Sequence, residues 1–301
     1  MITPKEKKYY MPAEWYPHKC CWMQWPYNNP NHNGYGDIPS WSHFDFEKGR
    51  LAWANVANSI VKFEQVKMIT HPDEIRKAKK LLDSKIEIIE FKIDDCWARD
   101  SGAIFLLNDK KMLGGIDWEF NGWGKFKPYD SDNKIAKFMI ENSSATYFKN
   151  QMILEGGSIH VDGEGTLLTT EQCLLNKNRN PKLSKKEIEK NLKEYLNISK
   201  IIWLKNGTDE GTDGHVDNIA CFVKPGTVLA LSCKDKNDPF YEKIHENLEI
   251  LKSSTDSKGR ELNIIELEMS YKRLIPNDDE PSSYINFYIA NKGIVMPSFE
   301  D

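Results

Sequence analysis

Three short motifs that carry acidic residues or histidine are the part of this sequence best suited to chemistry. They are Asp95–Asp100 (DCWARD), Glu155–His160 (EGGSIH) and Gly214–Asp217 (GHVD), and the surrounding pattern places each at the edge of a strand. Residues at strand ends commonly line pockets. Carboxylates hold a delocalised cation through charge-assisted hydrogen bonds, and histidine suits proton transfer because it titrates near neutral pH. The candidate residues are Asp100, Glu155, His215 and Asp217.

Each motif also has a purely structural interpretation. Asp100 could form a surface ion pair with Arg99, and Glu155 could be a turn residue before two glycines that tolerate positive φ. Trp97 and Trp118 could be core aromatic residues, or they could wall a pocket in which a flat cation stacks on an indole face. Spacing alone does not decide between these interpretations.

A nucleophile to accompany the candidate residues is harder to find. If residues 214–223 form one strand, Cys221 shares a face with His215, but a cysteine inside an apolar strand is usually an inert core residue. Cys96 lies in an acidic cluster, where neighbouring negative charge disfavours the thiolate. We therefore expect neither cysteine to attack a substrate.

Two His-x-Asp triplets, His160–Asp162 and His215–Asp217, raise a metal site as an alternative. Imidazole and carboxylate groups suit zinc or iron. The two side chains of a triplet point the same way along a strand, so that two triplets would crowd the ligands. The sequence Asp162–Gly165 also resembles a hairpin turn, which favours a structural role for Asp162. We expect no metal and no other cofactor.

Bulk properties exclude several function classes. The chain has 301 residues, of which 40% are hydrophobic and 29% charged, as is usual for a globular protein. Its net charge of −4 and pI of about 6.0 lack the basic surplus of a nucleic-acid binder. The sequence shows no apolar run of membrane-spanning length, no signal peptide and no C-x-x-C pair among six cysteines. These features predict a cytoplasmic protein without a nucleic-acid or membrane partner.

The elements that must position the motifs follow a recurring strand and helix rhythm. Apolar spacing predicts helices at 53–63 and 71–83, and the capping box Ser184–Glu187 predicts the start of another. Strands are predicted at 66–70, 85–93, 103–107, 112–118, 201–204, 284–290 and 294–296. The copies differ too much for a strict sequence repeat, and they predict several small modules arranged around an axis.

Together with further motifs, these residues closely resemble the agmatine deiminases, in the peptidyl-arginine-deiminase-like branch of the guanidino-group-modifying, or pentein, superfamily. The match runs over nearly the whole chain, and jointly its motifs are highly specific. The matching segments are Asp95–Asp100, Asp117–Gly124, Glu155–Gly163, Thr169–Pro181 and Gly214–Phe222.

The resemblance implies an α/β fold, a pentein-type propeller of five modules that forms a single domain over residues 1–301 with an incomplete last module. The guanidinium-binding aspartates of the family fall on Asp100 and Asp217, its glutamate on Glu155 and its general acid/base on His215. Its nucleophile is a cysteine in a G-G-G-x-I-H-C segment, which we expect beyond residue 301. Members of the family commonly form dimers, so we expect a homodimer.

The function implied is hydrolysis of agmatine, a small guanidino cation, to N-carbamoylputrescine and ammonia on the route to putrescine. A cysteine thiolate would form a covalent thiouronium intermediate, His215 would move the protons and Glu155 would orient the imidazolium. Two alternatives remain. One is a deiminase of free or peptidyl arginine, which would need an additional clamp for the substrate carboxylate or carbonyl. The other is a guanidine-binding homologue with impaired catalysis.

Overall fold

The computed structural model describes residues 2–32, 45–270 and 282–299. The strands are β1 (Tyr9–Tyr10), β2 (Cys20–Gln24), β3 (Gln65–Thr70), β4 (Glu87–Glu90), β5 (Ile104–Asn108), β6 (Leu113–Glu119), β7 (Thr146–Ile153), β8 (Ile159–Val161), β9 (Thr166–Thr170), β10 (Lys200–Leu204), β11 (Ala220–Lys224), β12 (Thr227–Ser232), β13 (Asn263–Glu268), β14 (Tyr288–Ala290) and β15 (Gly293–Val295). The helices are α1 (Phe46–Ile60), α2 (Ile75–Leu81), α3 (Ala98–Ser101), α4 (Ile135–Asn142), α5 (Glu171–Leu174), α6 (Lys185–Leu196) and α7 (Tyr241–Lys252).

Three of the sheets repeat one pattern, in which an antiparallel pair is followed by a helix and a parallel strand. The antiparallel pairs are β5 with β6, β8 with β9 and β11 with β12. The added parallel strands are β7, β10 and β13. A parallel neighbour needs a crossover connection, which α4, α6 and α7 provide.

The two remaining sheets of the described chain each show one half of this pattern. Strands β14 and β15 form an antiparallel pair, whereas β2, β3 and β4 are all parallel and are connected through α1 and α2. The α/β class predicted from the sequence is thereby confirmed. The arrangement as five modules of a single domain remains a prediction.

Helix α6 shows how local sequence fixes one of these crossovers. The Ser184 backbone N–H donates to the Glu187 carboxylate at 2.7 Å, and the Glu187 N–H donates to the Ser184 hydroxyl at 3.4 Å. This is the capping box predicted from the sequence. The helix buries one apolar face, and Asn197 ends it in the left-handed conformation.

The turn between β8 and β9 confirms the structural role predicted for Asp162. One carboxylate oxygen of Asp162 accepts the N–H groups of Glu164 at 2.7 Å and Thr166 at 2.9 Å. Gly163 and Gly165 adopt φ values of +74° and +107°, which favour glycine. The hairpin holds β8 at the point where the Glu155 segment enters it.

The prediction that His215 and Asp217 lie in a strand is wrong. Residues Val216–Asn218 form a 3-10 turn, and β11 begins only at Ala220. Gly214 has a φ of +83° and packs so closely on Gly207 that an added Cβ would lie 2.7 Å from the Gly207 nitrogen. This positive φ breaks the extended backbone before the turn, so the strand-face argument that grouped Cys221 with His215 fails.

Most other predicted elements lie where the pattern placed them. The helix predicted at 71–83 is α2 preceded by a 3-10 turn, and the strand predicted at 85–93 is shortened to Glu87–Glu90. None of the helices in the described stretches is both long enough and apolar enough to cross a membrane.

Candidate active site

The four candidate residues come from connections at three different places in the fold. Asp100 lies in the short helix α3, and Glu155 directly follows β7 and precedes a 3-10 turn at Gly156–Ser158. His215 and Asp217 belong to the turn that leads into β11. All four are buried, with side chains that face one another instead of solvent.

Gly157 is the point around which three of these side chains meet. A Cβ added to Gly157 would lie 2.5 Å from His215 Nδ1, 2.7 Å from Asp217 Oδ2 and 2.8 Å from Asp100 Oδ1. The Gly157 N–H also donates to Asp100 Oδ1 at 2.9 Å. Position 157 therefore requires glycine because any side chain would enter the space between the charged groups.

His215 lies between two carboxylates. Its Nδ1 is 3.7 Å from Asp100 Oδ1, and its Nε2 is 3.6 Å from Glu155 Oε2. Burial by itself would lower the pKa of His215, but the charge of Asp100 and the contacts with Cys173 and Glu155 outweigh it and raise the pKa well above its usual range. The imidazolium form is thus stabilised, and the ring can hold a proton for transfer.

Glu155 is held by Arg179, a residue that the sequence analysis did not single out. The Arg179 Nε donates to Glu155 Oε1 at 2.6 Å, and its Nη1 donates to Asp213 at 2.7 Å. Burial raises the pKa of Glu155, but Arg179 and His215 outweigh burial and lower it. Lys177 and Arg179 are the two cations of the matching segment Thr169–Pro181, so the sequence pointed to the segment but not to Arg179 alone.

Asp100 is fixed from both sides. In addition to the Gly157 N–H, it accepts the indole N–H of Trp123 on Oδ2 at 2.9 Å. Trp123 has a φ of +54° in a turn after β6. Trp123 lies within the matching segment Asp117–Gly124, yet the sequence analysis favoured the neighbouring Trp118.

The two predicted substrate-binding tryptophans lie in different environments. Trp97 precedes α3, contacts Trp53 edge-on with ring centroids 5.3 Å apart, and borders a cavity of about 1150 Å³. Trp118 is 4% exposed in the hydrophobic core, with its ring centroid 5.4 Å from that of Tyr195. The structure does not bring Trp118 to the four acidic and histidine residues, and its part in substrate binding remains a prediction.

Asp217 differs from the other carboxylates of the site. Burial raises its pKa to about 6, aided by the charges of Asp100 and Glu14 and opposed by His215 and Arg99. Its Oδ1 is buried and has no hydrogen-bond partner within the described residues. Buried polar atoms are normally satisfied, so this oxygen is suited to accept a hydrogen bond from a cationic ligand.

Arg99 does not form the surface pair with Asp100 that the sequence offered as an alternative. Its Nη2 lies 2.6 Å from Glu14 Oε1, and the other oxygen of Glu14 lies 3.4 Å from His160 Nε2. His160 Nδ1 accepts the Phe222 N–H at 3.2 Å, which assigns the ring proton to Nε2. His160 therefore supports Glu14, and Glu14 in turn holds Arg99 beside Asp217.

The cysteines of this region have thiols that resist ionisation. Burial and acidic neighbours raise the pKa of Cys96 well above its usual range and that of Cys221 to about 12, as their positions in the sequence suggested. Cys173 carries no motif that singled it out in the sequence, yet its Sγ lies 3.8 Å from Glu155 Oε2. Burial and the charge of Glu155 raise the pKa of this thiol as well.

Comparison with known proteins identifies the family of this chain. The model of the Porphyromonas-type peptidyl-arginine deiminase family matches residues 10–301. A Legionella pneumophila protein is 46% identical over 300 residues, which cover 99% of this chain and 84% of the relative. The agmatine deiminase of Pseudomonas aeruginosa is 40% identical over 325 residues, which cover 99% of this chain and 86% of that protein. The solved agmatine deiminase of Enterococcus faecalis matches with a TM-score of 0.89 at 35% identity, covering 100% of this chain and 86% of the other. The chain belongs to the Porphyromonas-type peptidyl-arginine deiminase family and shares the pentein-type α/β fold of these relatives.

Proposed function

We propose that this protein hydrolyses agmatine to N-carbamoylputrescine and ammonia. The observation that carries the proposal is the meeting of Asp100, Asp217 and His215 around Gly157, with Glu155 behind the histidine. Two relatives that are similar over nearly the whole chain, from P. aeruginosa and E. faecalis, are named agmatine deiminases.

The two aspartates bind the guanidinium group. Asp100 and Asp217 present oxygens on the same side of Gly157, and a planar cation with several N–H donors can bridge them. The cation would satisfy Asp217 Oδ1, which is buried without a hydrogen-bond partner in the described part of the chain. Its positive charge would also offset the repulsion between the two carboxylates, which lowers the cost of keeping both ionised.

His215 moves the protons of the reaction. A thiolate attacks the guanidinium carbon, and a C–S bond forms while His215 donates its proton to the departing ammonia. The neutral imidazole then takes a proton from water, whose oxygen attacks the thiouronium carbon. The C–S bond breaks, the electron pair returns to sulfur, and the ureido product leaves. Glu155 orients the ring through Nε2 at 3.6 Å, and Arg179 keeps Glu155 ionised.

The source of the thiolate is part of the proposal. The nearest described cysteine to His215 and Glu155, Cys173, has a raised pKa and packs against Glu155. Cys221, with a pKa raised to about 12, does not offer a thiolate at neutral pH. We place the nucleophile in a segment beyond residue 301, where the family pattern has G-G-G-x-I-H-C.

The edge of β2 is the place proposed for that segment. In each of the three sheets with the full pattern, one strand has a parallel partner on one side and an antiparallel partner on the other. Strand β2 has its parallel partner, β3, but has no antiparallel partner within the described residues. Gln24, at the end of β2, accepts the Ser101 hydroxyl at 2.9 Å and donates to the Asp95 carbonyl at 3.0 Å. A strand added along β2 would therefore reach the Asp100 helix and complete a fifth module of a single domain.

The two arginines near the site favour agmatine over arginine as the substrate. Arg99 is engaged by Glu14, and Arg179 by Glu155 and Asp213. Both are thus committed to carboxylates of the protein. Arginine would bring a carboxylate that these two cations cannot pair, and burying an unpaired carboxylate is costly.

The assembly and location are part of the same proposal. We expect a homodimer, as is common in the superfamily, and light scattering of the purified protein tests it. We expect a cytoplasmic location, a reducing compartment that suits six cysteines that are all free. Cell fractionation tests the location. We also expect no nucleic-acid partner, and the net charge of −4 supports this expectation.

A ureido colorimetric assay tests the function. The protein that carries the G-G-G-x-I-H-C segment is expected to release ammonia and a ureido product from agmatine, and to do so far faster than from arginine. Asp217→Asn should abolish turnover, whereas Asp109→Asn, at an exposed turn between β5 and β6, should not change it. Preference for arginine would overturn the substrate assignment. Full activity of residues 1–301 alone would overturn the placement of the nucleophile.

A further inference from the structure

Three side chains of metal-ligand type lie together in the buried part of the site. Glu155, Cys173 and His215 each offer one ligand atom, and these atoms all lie within 4.8 Å of one another. The Cys173 Sγ is 3.8 Å from Glu155 Oε2, and His215 Nε2 is 3.6 Å from the same oxygen. All three residues are buried.

These separations are close to those of a zinc coordination sphere. Zinc bonds of about 2.3 Å to sulfur and about 2.0–2.2 Å to nitrogen and oxygen, at tetrahedral angles, put neighbouring ligand atoms roughly 3.3–3.6 Å apart. The distances of 3.6 and 3.8 Å to Glu155 Oε2 need shifts of only a few tenths of an ångström, whereas the histidine nitrogen and Cys173 Sγ, within 4.8 Å of each other, must approach by at most about 1.2 Å. A thiolate, an imidazole and a carboxylate are also the donor types that suit a borderline-soft divalent cation.

The surrounding contacts orient these groups as the outer contacts of a metal site do. His215 Nδ1 faces Asp100 Oδ1 at 3.7 Å, and Arg179 holds the other oxygen of Glu155 at 2.6 Å. Carboxylate partners behind ligating histidines fix ring orientation in metal sites. His215 Nε2, which points toward the other two ligand atoms, is buried and has no hydrogen-bond partner in the described stretches.

We propose that Glu155, Cys173 and His215 bind one Zn²⁺ ion, or a similar borderline-soft divalent cation, and that this ion inhibits the deiminase reversibly. The Cys173 thiol proton and any proton on His215 Nε2 pass to solvent as the bonds to the metal form. The positive charge of Arg179 opposes the ion, but Asp100 and Asp217 add two negative charges beside it.

Inhibition rests on the proposed function, whereas metal binding does not. A metal at His215 Nε2 prevents the ring from becoming an imidazolium, and the proton left on Nδ1 is a much weaker acid toward the departing ammonia. Its charge also repels the guanidinium that Asp100 and Asp217 would bind. Agmatine and the metal therefore exclude each other.

Cobalt(II) titration of the metal-free full-length protein tests binding directly, because a Co²⁺–thiolate bond gives a charge-transfer absorption in the near ultraviolet. The expected result is one equivalent of Co²⁺ with this band in the native protein and in Cys221→Ser, and no band in Cys173→Ser. Cys20→Ser/Cys233→Ser, which removes the two partly exposed cysteines, should also keep the band. The proposal would be overturned if the native protein showed no band. It would also be overturned if the band were lost in Cys20→Ser/Cys233→Ser but kept in Cys173→Ser.

A competition measurement covers the case in which Cys173→Ser does not fold. Agmatine added to the native protein should displace Co²⁺ and remove the band, and an unchanged band would contradict the shared site. In the ureido assay, inhibition of each variant is expressed relative to the rate of that variant without zinc. The Zn²⁺ concentration for half inhibition should be at least about tenfold higher for Cys173→Ser than for the native protein, because loss of even an outer contact of a metal site lowers metal affinity by that factor. A thiolate band without agmatine turnover would refute the proposed function alone, and turnover without a band or zinc sensitivity would refute the metal site alone.

Discussion

Glu155 and Asp217 are two buried carboxylates of one site, and they are stabilised in opposite ways. Glu155 receives the Arg179 Nε–H at 2.6 Å, and its pKa is lowered in spite of complete burial. Asp217 has no such partner on Oδ1, and burial raises its pKa to about 6. The protein therefore supplies a cation for one carboxylate and leaves the other for a ligand.

This difference separates support from recognition. A buried charge with its own counter-ion contributes to a fixed arrangement, whereas a buried charge without one favours binding of an external cation. Glu155 would thus keep His215 in place in all states of the enzyme. Asp217 would gain its main partner only when the guanidinium arrives. Variants that remove one partner at a time should affect stability at Glu155 and affinity at Asp217.

Replacing Arg179 with methionine is expected to have the largest effect on stability. The change keeps most of the side-chain volume but leaves Glu155 and Asp213 without their shared cation. Breaking a buried ion pair on one side typically costs about 3–5 kcal/mol in the free energy of unfolding. Urea unfolding followed by tryptophan fluorescence measures this cost.

Arg76→Met is the matched control for this variant. Arg76 is exposed on α2, where the same substitution should change the free energy of unfolding by less than about 0.5 kcal/mol. Arg179→Lys should be intermediate, because lysine keeps the charge but cannot reach Glu155, Asp213 and the Thr212 carbonyl together. Equal stability of Arg179→Met and Arg76→Met would remove the role assigned to Arg179.

Asp217→Asn should show the opposite behaviour. The amide keeps the shape of the side chain but not its charge, and loss of one partner of a buried charge pair costs about 2–5 kcal/mol of binding. The agmatine dissociation constant should rise at least about 30-fold, since about 1.4 kcal/mol corresponds to a factor of ten. Calorimetry measures it, with Asp109→Asn as the exposed control. The free energy of unfolding should not fall, because the substitution removes an unpaired buried carboxylate. A large loss of stability without a change in agmatine affinity would contradict the contrast between Glu155 and Asp217.

The sequence identified the four residues that meet in the candidate site but not the residues that hold them. Asp100, Glu155, His215 and Asp217 stand in short motifs with recognisable chemistry, and the structure brings all four together. The partners of these residues arise from long-range contacts, and no local pattern specifies which arginine or tryptophan will meet which carboxylate.

Trp123 illustrates this limit, and it provides a third prediction. Trp123→Phe removes the indole N–H that Asp100 Oδ2 accepts at 2.9 Å, while the ring still fills the core. A hydrogen bond to a charged group contributes about 1.5–3 kcal/mol, so agmatine affinity should fall by roughly 10- to 100-fold. Trp203→Phe loses a similar bond to Glu189 far from the site and should bind agmatine normally. Equal affinities in the two variants would show that Trp123 does not position Asp100.

The turn at residues 214–218 shows a second limit of sequence patterns. Alternation along this segment resembled a strand, yet a positive φ at Gly214 and the close contact with Gly207 produce a turn. His215 and Asp217 nevertheless meet, through tertiary contacts around Gly157 instead of strand alternation. Periodicity describes a regular backbone, and this site lies where the regular backbone ends.

His160 is a further case in which the residue was noticed but its partner was not. The sequence raised it as a metal-ligand alternative, whereas in the structure its Nε2 lies 3.4 Å from Glu14 Oε2 and its Nδ1 accepts the Phe222 N–H. Glu14 lies in a segment without secondary structure, and its nearest charged partners come from two distant parts of the chain. Burial raises the pKa of Glu14, but Arg99 and His160 outweigh burial and lower it strongly.

Glu14→Gln is expected to give the smallest effect, and one that depends on pH. The amide has only one acceptor oxygen, so it keeps the contact with Arg99 or with His160 and loses the charge and the other contact, about 1–3 kcal/mol in the free energy of unfolding at neutral pH. Because the pKa of Glu14 in the folded protein is below its ordinary value of 4.5, its contribution is present above pH 4.5 and disappears as the pH falls through the lower folded-state pKa. The native protein and Glu14→Gln should therefore differ in urea unfolding at pH 7 and converge at acidic pH, whereas the exposed Glu90→Gln should match the native protein throughout. A difference between native and Glu14→Gln that stays constant down to strongly acidic pH would show that Glu14 contributes through packing and not through its charge beside Arg99.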